Sequence, residues 1–162
     1  MAKTAIDLLE QDHDRVLQLL EQLTETTDRA SKTRTDLLKK IALEFELHTQ
    51  LEEEIFYPAF REASRAKDDE KLYYEAVEEH NAAALVLKDL KKADVGSPAF
   101  GGKAKVLKEL ISHHIDEERE EMFAKAKKLF NREEMTELAE RMEERKRRLM
   151  SRRTNGAEAR PH

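Results

Sequence analysis

Apolar residues recur every three to four positions along most of this chain, the spacing of one buried face of an α-helix. Ile6, Leu9, Val16, Leu20 and Leu23 form the first stripe and predict helix A over residues 5–28. Thr4, with Asp7 in the first turn, supplies its N-cap. A polar break at residues 31–35 follows. Leu37, Ile41, Phe45, Ile55 and Ala59 predict helix B, ending near residue 63, with Pro58 expected to kink its last turn. After a charged link at 65–70, Tyr73, Ala76, Val77, Ala83, Ala84 and Leu87 predict helix C over 71–92. The stretch ADVGSPAFGG at 93–102 reads as a loop. Leu107, Leu110, Ile111 and Met122 predict helix D over 103–130. Asn131 and Glu134 make a capping-box pattern that starts helix E, whose weaker stripe is Met135, Leu138, Met142 and Leu149. Residues 151–162 read as a disordered tail.

Four long helices joined by short links predict an all-α fold, an up-down-up-down antiparallel four-helix bundle. The bundle takes residues 1–130, and an additional C-terminal helix at 131–150 packs on it or projects from it. Composition narrows the picture. Residues 1–95 hold no Gly and one Pro, too few turn residues for an all-β fold. The 40% charged residues fit helices with one narrow buried stripe. The absence of Cys excludes disulfide scaffolds, thiol catalysis and cysteine-held metal. A net charge of −5 gives no general attraction to nucleic acid or anionic membrane. No apolar run reaches membrane-spanning length, so the expectation is a cytoplasmic protein with neither nucleic-acid nor membrane partners. The basic cluster Arg145, Lys146, Arg147, Arg148, Arg152 and Arg153 near the C-terminus complements the helix dipole and could meet a protein partner.

Histidines interrupt each apolar stripe, where a polar ring needs a reason. His13 lies on helix A, His48 on helix B, His80 on helix C and His114 on helix D. Helix B carries His48-x-x-x-Glu52 and helix D carries His114-x-x-x-Glu118, so each presents an imidazole and a carboxylate on one face. The pattern repeats. His13 and His80 are 67 residues apart; His48 and His114, Glu52 and Glu118, and Tyr57 and Phe123 are each 66 apart. The aromatic register selects His114 and Glu118 over the adjacent His113 and Glu117, which become peripheral. Four imidazoles and two shared carboxylates describe a two-metal site, each metal keeping open positions. Nitrogen and oxygen ligands without sulfur suit iron or manganese, with zinc a further candidate. Open positions on a redox metal imply chemistry with oxygen species. Tyr73, two turns before His80, reads as core packing with a place at the margin of the site. H-E-x-x-H, Gly-rich phosphate loops and nucleophile elbows are absent, and Glu-x-x-His occurs once, at Glu10 and His13, where ferritin-like centres need two.

The segments DHDRVLQLL around His13, HTQLEEEIFYP from His48, EEHNAAALVL around His80 and HIDEEREEMF from His114 resemble the hemerythrin-like, HHE cation-binding family, in its subgroup with pattern H, HxxxE, H, HxxxE. The resemblance implies a four-helix bundle with a non-haem di-iron centre. His13, His48, His80 and His114 would be terminal ligands, and Glu52 and Glu118 bridges. It implies binding or conversion of O₂, NO or peroxide; handling of oxygen species is the leading expectation, with catalase-like turnover one form of it. A non-enzymatic iron or oxygen sensor acting through helix E is the alternative, and a metal-free helical interaction protein the third. Oxygen-carrying members have a further His where this chain has Ala84, so water or a carboxylate such as Glu79 would complete that metal. Ala124 stands where the first repeat has Pro58.

Overall fold

A computed structural model describes residues 2–159 of the chain, with side chains through Thr154. The described residues are all-α: α1 (Ala5–Glu25), α2 (Ser31–Leu51), α3 (Tyr57–Ala63), α4 (Lys67–Lys92), α5 (Pro98–Glu117), α6 (Ala124–Leu129) and α7 (Arg132–Ala159). Helix B of the sequence reading is α2 and α3, joined without a break by a π-helical turn at Glu52–Phe56. Helix D is α5 and α6, joined by a second π turn at Glu118–Phe123. The hairpins α1–α2 and α4–α5 pack side by side into an antiparallel bundle, and α7 lies across α1 and α2.

The expected caps form. Thr4 and Asp7 bond reciprocally at the start of α1, as Asn131 and Glu134 do before α7. Several boundaries differ. The helix B break moves upstream: α2 begins at Ser31, and Arg34, inside the stretch expected to be open, is buried. Its guanidinium donates to the Val95 carbonyl at 2.7 Å and to Thr26 Oγ1 at 2.9 Å, tying the two hairpin loops together. Helix α4 starts at Lys67 because Asp68, Asp69 and Glu70 suit a first turn. The loop expected at 93–102 ends at Ser97. Ser97 caps α5 by accepting from the Phe100 amide, Pro98 fills the first turn where no N–H is needed, and these outweigh Gly101 and Gly102.

Pro58, expected to disturb the last turn of helix B, is directly preceded by a π turn. It falls in the first turn of α3, after the π turn, where its missing N–H costs little. Helix α7 continues through Ala159, past the end expected at 150. Arg152, Arg153, Ala157, Glu158 and Ala159 favour helix, and Arg153 reaches Glu46 at 3.1 Å. Residues 160–162 of the expected tail lie outside the described residues.

Two apolar clusters fill the bundle. One holds Leu20, Leu23, Ile41, Leu87, Phe100 and Leu107 near the two hairpin loops. The other holds Leu9, Phe56, Tyr57, Phe60, Met122 and Phe123, closed over by Met135, Leu138 and Met142 of α7. The helix E stripe is thus packed against the bundle. Leu138→Ala should therefore cost about 2–4 kcal/mol in guanidinium unfolding. A loss below about 0.5 kcal/mol, the range of exposed substitutions, would mean α7 is not part of the core.

Candidate metal centre

Between the two apolar clusters lies a layer of polar side chains. His13, His48, Glu52, His80, His114 and Glu118 are all buried, Glu52 completely. They form two four-residue groups, His13–His48–Glu52–Glu118 and Glu52–His80–His114–Glu118. Within each group the ligand atoms lie within 4.8 Å of one another, and Glu52 and Glu118 belong to both. His48 Nε2 is 2.8 Å from Glu52 Oε1 and His13 Nε2 is 3.0 Å from Glu118 Oε1. Across the centre, His80 Nε2 is 3.3 Å from Glu52 Oε1 and His114 Nε2 is 3.3 Å from Glu118 Oε2.

All four histidines turn Nε2 inward, and each Nδ1 meets a carboxylate outside. His13 pairs with Glu10 at 3.1 Å, His48 with Asp12 at 3.1 Å, His80 with Glu53 at 3.1 Å and His114 with Glu79 at 2.9 Å. Such partners hold a ring in the orientation and tautomer that a metal requires. Sequence reasoning missed these roles. Glu10 and Asp12 sit three and one residues before His13, and Glu53 lies in an acidic run read as solvated. Glu79 was expected as a replacement ligand, but it serves His114 from outside. Ala84, expected on the inward stripe, is exposed. His113 is exposed and pairs with Glu117 at 3.1 Å, as the aromatic register predicts.

The π turns explain why aromatics follow each Glu by five residues. In an α-helix such residues point about 140° apart. Across an i→i+5 bonded turn they stand one above the other. The Tyr57 amide donates to the Glu52 carbonyl, closing such a turn. Tyr57 stacks on His80 with centroids 5.5 Å apart, and Phe123 stacks on His13 at 5.8 Å. Each hairpin thus supplies a ring against the lone histidine of the other. The two halves differ by one oxygen. Tyr57 Oη donates to Glu118 Oε2 and lies 3.3 Å from both His80 Nε2 and His114 Nε2. Phe123 offers nothing equivalent. Tyr73 stays at the margin, edge-on to Tyr57 at 6.2 Å.

The residues fit cations. His13 Nε2, His48 Nε2, both oxygens of Glu52 and Glu118 Oε1 are buried and make no hydrogen bond, although the imidazole and carboxylate atoms face one another at close range. Buried carboxylates left this way are costly, and metal ions between the two groups would satisfy these atoms together. Imidazole nitrogen and carboxylate oxygen form a donor set for iron, manganese or zinc.

Comparison with known proteins agrees. Residues 4–126 match the hemerythrin HHE cation-binding domain family. Among solved structures, the chain is similar to a hemerythrin HHE cation binding domain-containing protein from Mycobacterium kansasii, with a TM-score of 0.81 and 21% identity over 99% of this chain and 95% of that one. At that identity the likeness is one of fold. Among curated proteins, it is 24% identical over 118 residues to a DNA nickase of Nostoc sp., covering 73% of this chain but 32% of that protein. The chain therefore spans about a third of that relative's length.

The electrostatics of the metal-free site are set by the carboxylates. Burial pushes each imidazole down, yet the acids at both ring edges outweigh it. His13, His48 and His80 are raised, and His114 reaches about 10. Burial pushes Glu118 up, but Glu52, His114 and His13 around it hold it well below the usual carboxylate range. Burial and the charges of Glu118 and Glu52 push the Tyr57 phenol well above its ordinary value. Raised histidines stabilise the fold fully below their unfolded value near 6.5, and that contribution is lost as pH climbs through the folded values. The metal-free protein should accordingly lose stability between about pH 6.5 and the His114 value of about 10. Guanidinium midpoints measured at the two ends check this, and a midpoint that rises with pH would contradict it.

Proposed function

The chain belongs to the hemerythrin HHE cation-binding family, and we propose that it is a non-haem di-iron member that reacts with oxygen species, peroxide foremost. The observation that carries this reading is the pair of four-ligand groups sharing Glu52 and Glu118. His13 and His48 would hold one iron, His80 and His114 the other, with both carboxylates bridging. The pair would supply electrons by cycling between ferrous and ferric states and offer open positions to small ligands.

The protein's own groups prepare that chemistry. Leu9, Phe56, Phe123 and Met122 close one side and exclude bulk water. Glu10, Asp12, Glu53 and Glu79 hold the four imidazoles in register. Tyr57 places a hydroxyl on the His80–His114 side only, where it can hold or pass a proton at Oη. Its hydroxyl stands on the half for which the sequence suggested water or Glu79 as a completing group. The six central residues are buried between the helices, which suits a diatomic molecule or peroxide rather than a larger substrate. No described helix is long and apolar enough to cross a membrane.

A sensor reading has its own support. Lys146 of α7 lies 3.5 Å from Asp12 Oδ1, and Asp12 in turn holds His48. Arg145 reaches Glu54 of the first π turn at 2.7 Å. Changes at the centre thus have a short path to the C-terminal helix and to a protein partner on it.

Protein made with ample iron should carry about two iron ions per chain. His48→Ala and His114→Ala should each lower that content by half or more, whereas His113→Ala should leave it unchanged; equal losses for all three would refute the ligand assignment. Peroxide should release O₂ over many turnovers per chain, followed with an oxygen electrode. Tyr57→Phe should keep the iron and slow that turnover by about 10²-fold if the phenol handles the proton. Bleaching by one equivalent of peroxide without turnover would favour the sensor.

A further inference from the structure

Tyrosine occurs three times in the chain, and all three stand in one line. Tyr57 is fully buried against the centre, where its hydroxyl donates to Glu118 and its ring stacks on His80 with centroids 5.5 Å apart. Tyr73 meets Tyr57 edge-on at 6.2 Å, and Tyr74 meets Tyr73 edge-on at 5.1 Å, both within the range of packed aromatic pairs. Tyr73 is half-buried and Tyr74 is 51% exposed. The line therefore runs from the buried layer to solvent, each phenol against the next.

Two helices hold it in place. Tyr57 belongs to α3, and Tyr73 and Tyr74 belong to α4. Arg61 of α3 lies over both outer rings, 5.0 Å from the Tyr73 centroid and 5.1 Å from that of Tyr74. It also donates to Tyr74 Oη at 3.0 Å and is itself held by Glu70 at 3.0 Å. Arg61 is thus a positioning residue that keeps the outer pair of rings together beside Tyr57. The other half of the centre has Phe123 and Phe56, whose rings give up an electron far less readily than a phenol does. The chain has no Trp and no Cys, so its easily oxidised aromatic groups are these three phenols.

We propose that Tyr57, Tyr73 and Tyr74 relay single electrons from solvent to the centre and give the protein a peroxidase activity toward small phenol or enediol donors at Tyr74. The inference rests on the reading that the centre holds iron and reacts with peroxide. Hydrogen peroxide takes two electrons from the centre and two protons from solvent and becomes two waters. Tyr57 returns the first electron. Its proton moves within the hydrogen bond to Glu118 Oε2 and comes back when Tyr73 gives Tyr57 an electron. Tyr73 and Tyr74 lose their protons to water and regain them in the same way. The donor's electron fills Tyr74 last, and the donor's proton goes to solvent. Two such passages restore the centre. One peroxide thus oxidises two donors to radicals, and the two protons they release match the two that peroxide consumes. A donor too large for the buried site is oxidised without entering it.

The test uses iron-loaded full-length protein, freed of loosely held iron, with hydrogen peroxide and a nitroso spin trap. Peptide mass spectrometry locates the trapped radical, and guaiacol serves as the phenol donor. Wild type should carry the adduct on Tyr74 and oxidise guaiacol; metal-free protein should do neither. Tyr73→Phe keeps the ring and removes the phenol. It should retain its iron and its peroxide-driven O₂ release but lose both the Tyr74 adduct and guaiacol oxidation. Tyr74→Phe, at an exposed position, should move the adduct to Tyr73 and lose guaiacol oxidation, which keeps the relay testable if Tyr73→Phe does not fold. Iron-loaded wild type without an adduct on Tyr74 would overturn the relay while leaving the iron centre standing. A Tyr74 adduct that persists in Tyr73→Phe or in metal-free protein would also overturn it, because the oxidant then reaches Tyr74 from solvent. Guaiacol oxidation unchanged in both variants would overturn the peroxidase activity. Failure of wild type to hold iron would remove the centre itself, and the relay with it.

Discussion

Two carboxylates, Glu52 and Glu118, stand in the middle of an apolar bundle, and the rest of the site is arranged around the cost of keeping them there. A buried carboxylate without compensation is among the most unfavourable groups a core can hold. Here compensation comes in rings. Four imidazoles face the carboxylates, four outer acids hold the imidazoles, and Arg119, Arg15 and Lys146 tie two of those acids to the surface. Five atoms at the centre of these rings make no hydrogen bond, and cations would satisfy them together. Removing one member leaves its neighbours unsatisfied, so the network behaves as a unit.

Placing that layer requires rigid walls on both sides. The cluster near the hairpin loops and the cluster beneath α7 hold the four helices at fixed register above and below it. The π turns then do what a regular helix cannot. They bring a carboxylate and an aromatic ring five residues apart onto one face, once in each hairpin. The resulting pseudo-symmetry is broken in two places. Tyr57 against Phe123 puts a hydroxyl on one half of the centre, and an exposed His113–Glu117 pair stands outside that same half.

Much of this was legible in the chain because it depends on local periodicity. A buried stripe at helical spacing marks where each helix faces, and a polar residue on that stripe must point inward. This single rule located all six central residues, and the 66-residue repeat chose His114 over His113. Boundaries were less legible where local signals competed. At α5, Ser97 and Pro98 outweighed two glycines; at the end of α7, helix-favouring residues and Arg153 outweighed an expected tail.

The sequence by itself determined the all-α class, the paired hairpins and the inward set of four His and two Glu, since those follow from the angle between successive residues on one helix. Only the tertiary structure decided what lies around them. The acid on His48 comes from α1, those on His80 and His114 from the first π turn and α4, and Tyr57 crosses from one hairpin to the other. Arg34 is buried because two loops meet over it. These contacts join residues whose helices must first pack, and no spacing along a single helix encodes which neighbour will stand opposite.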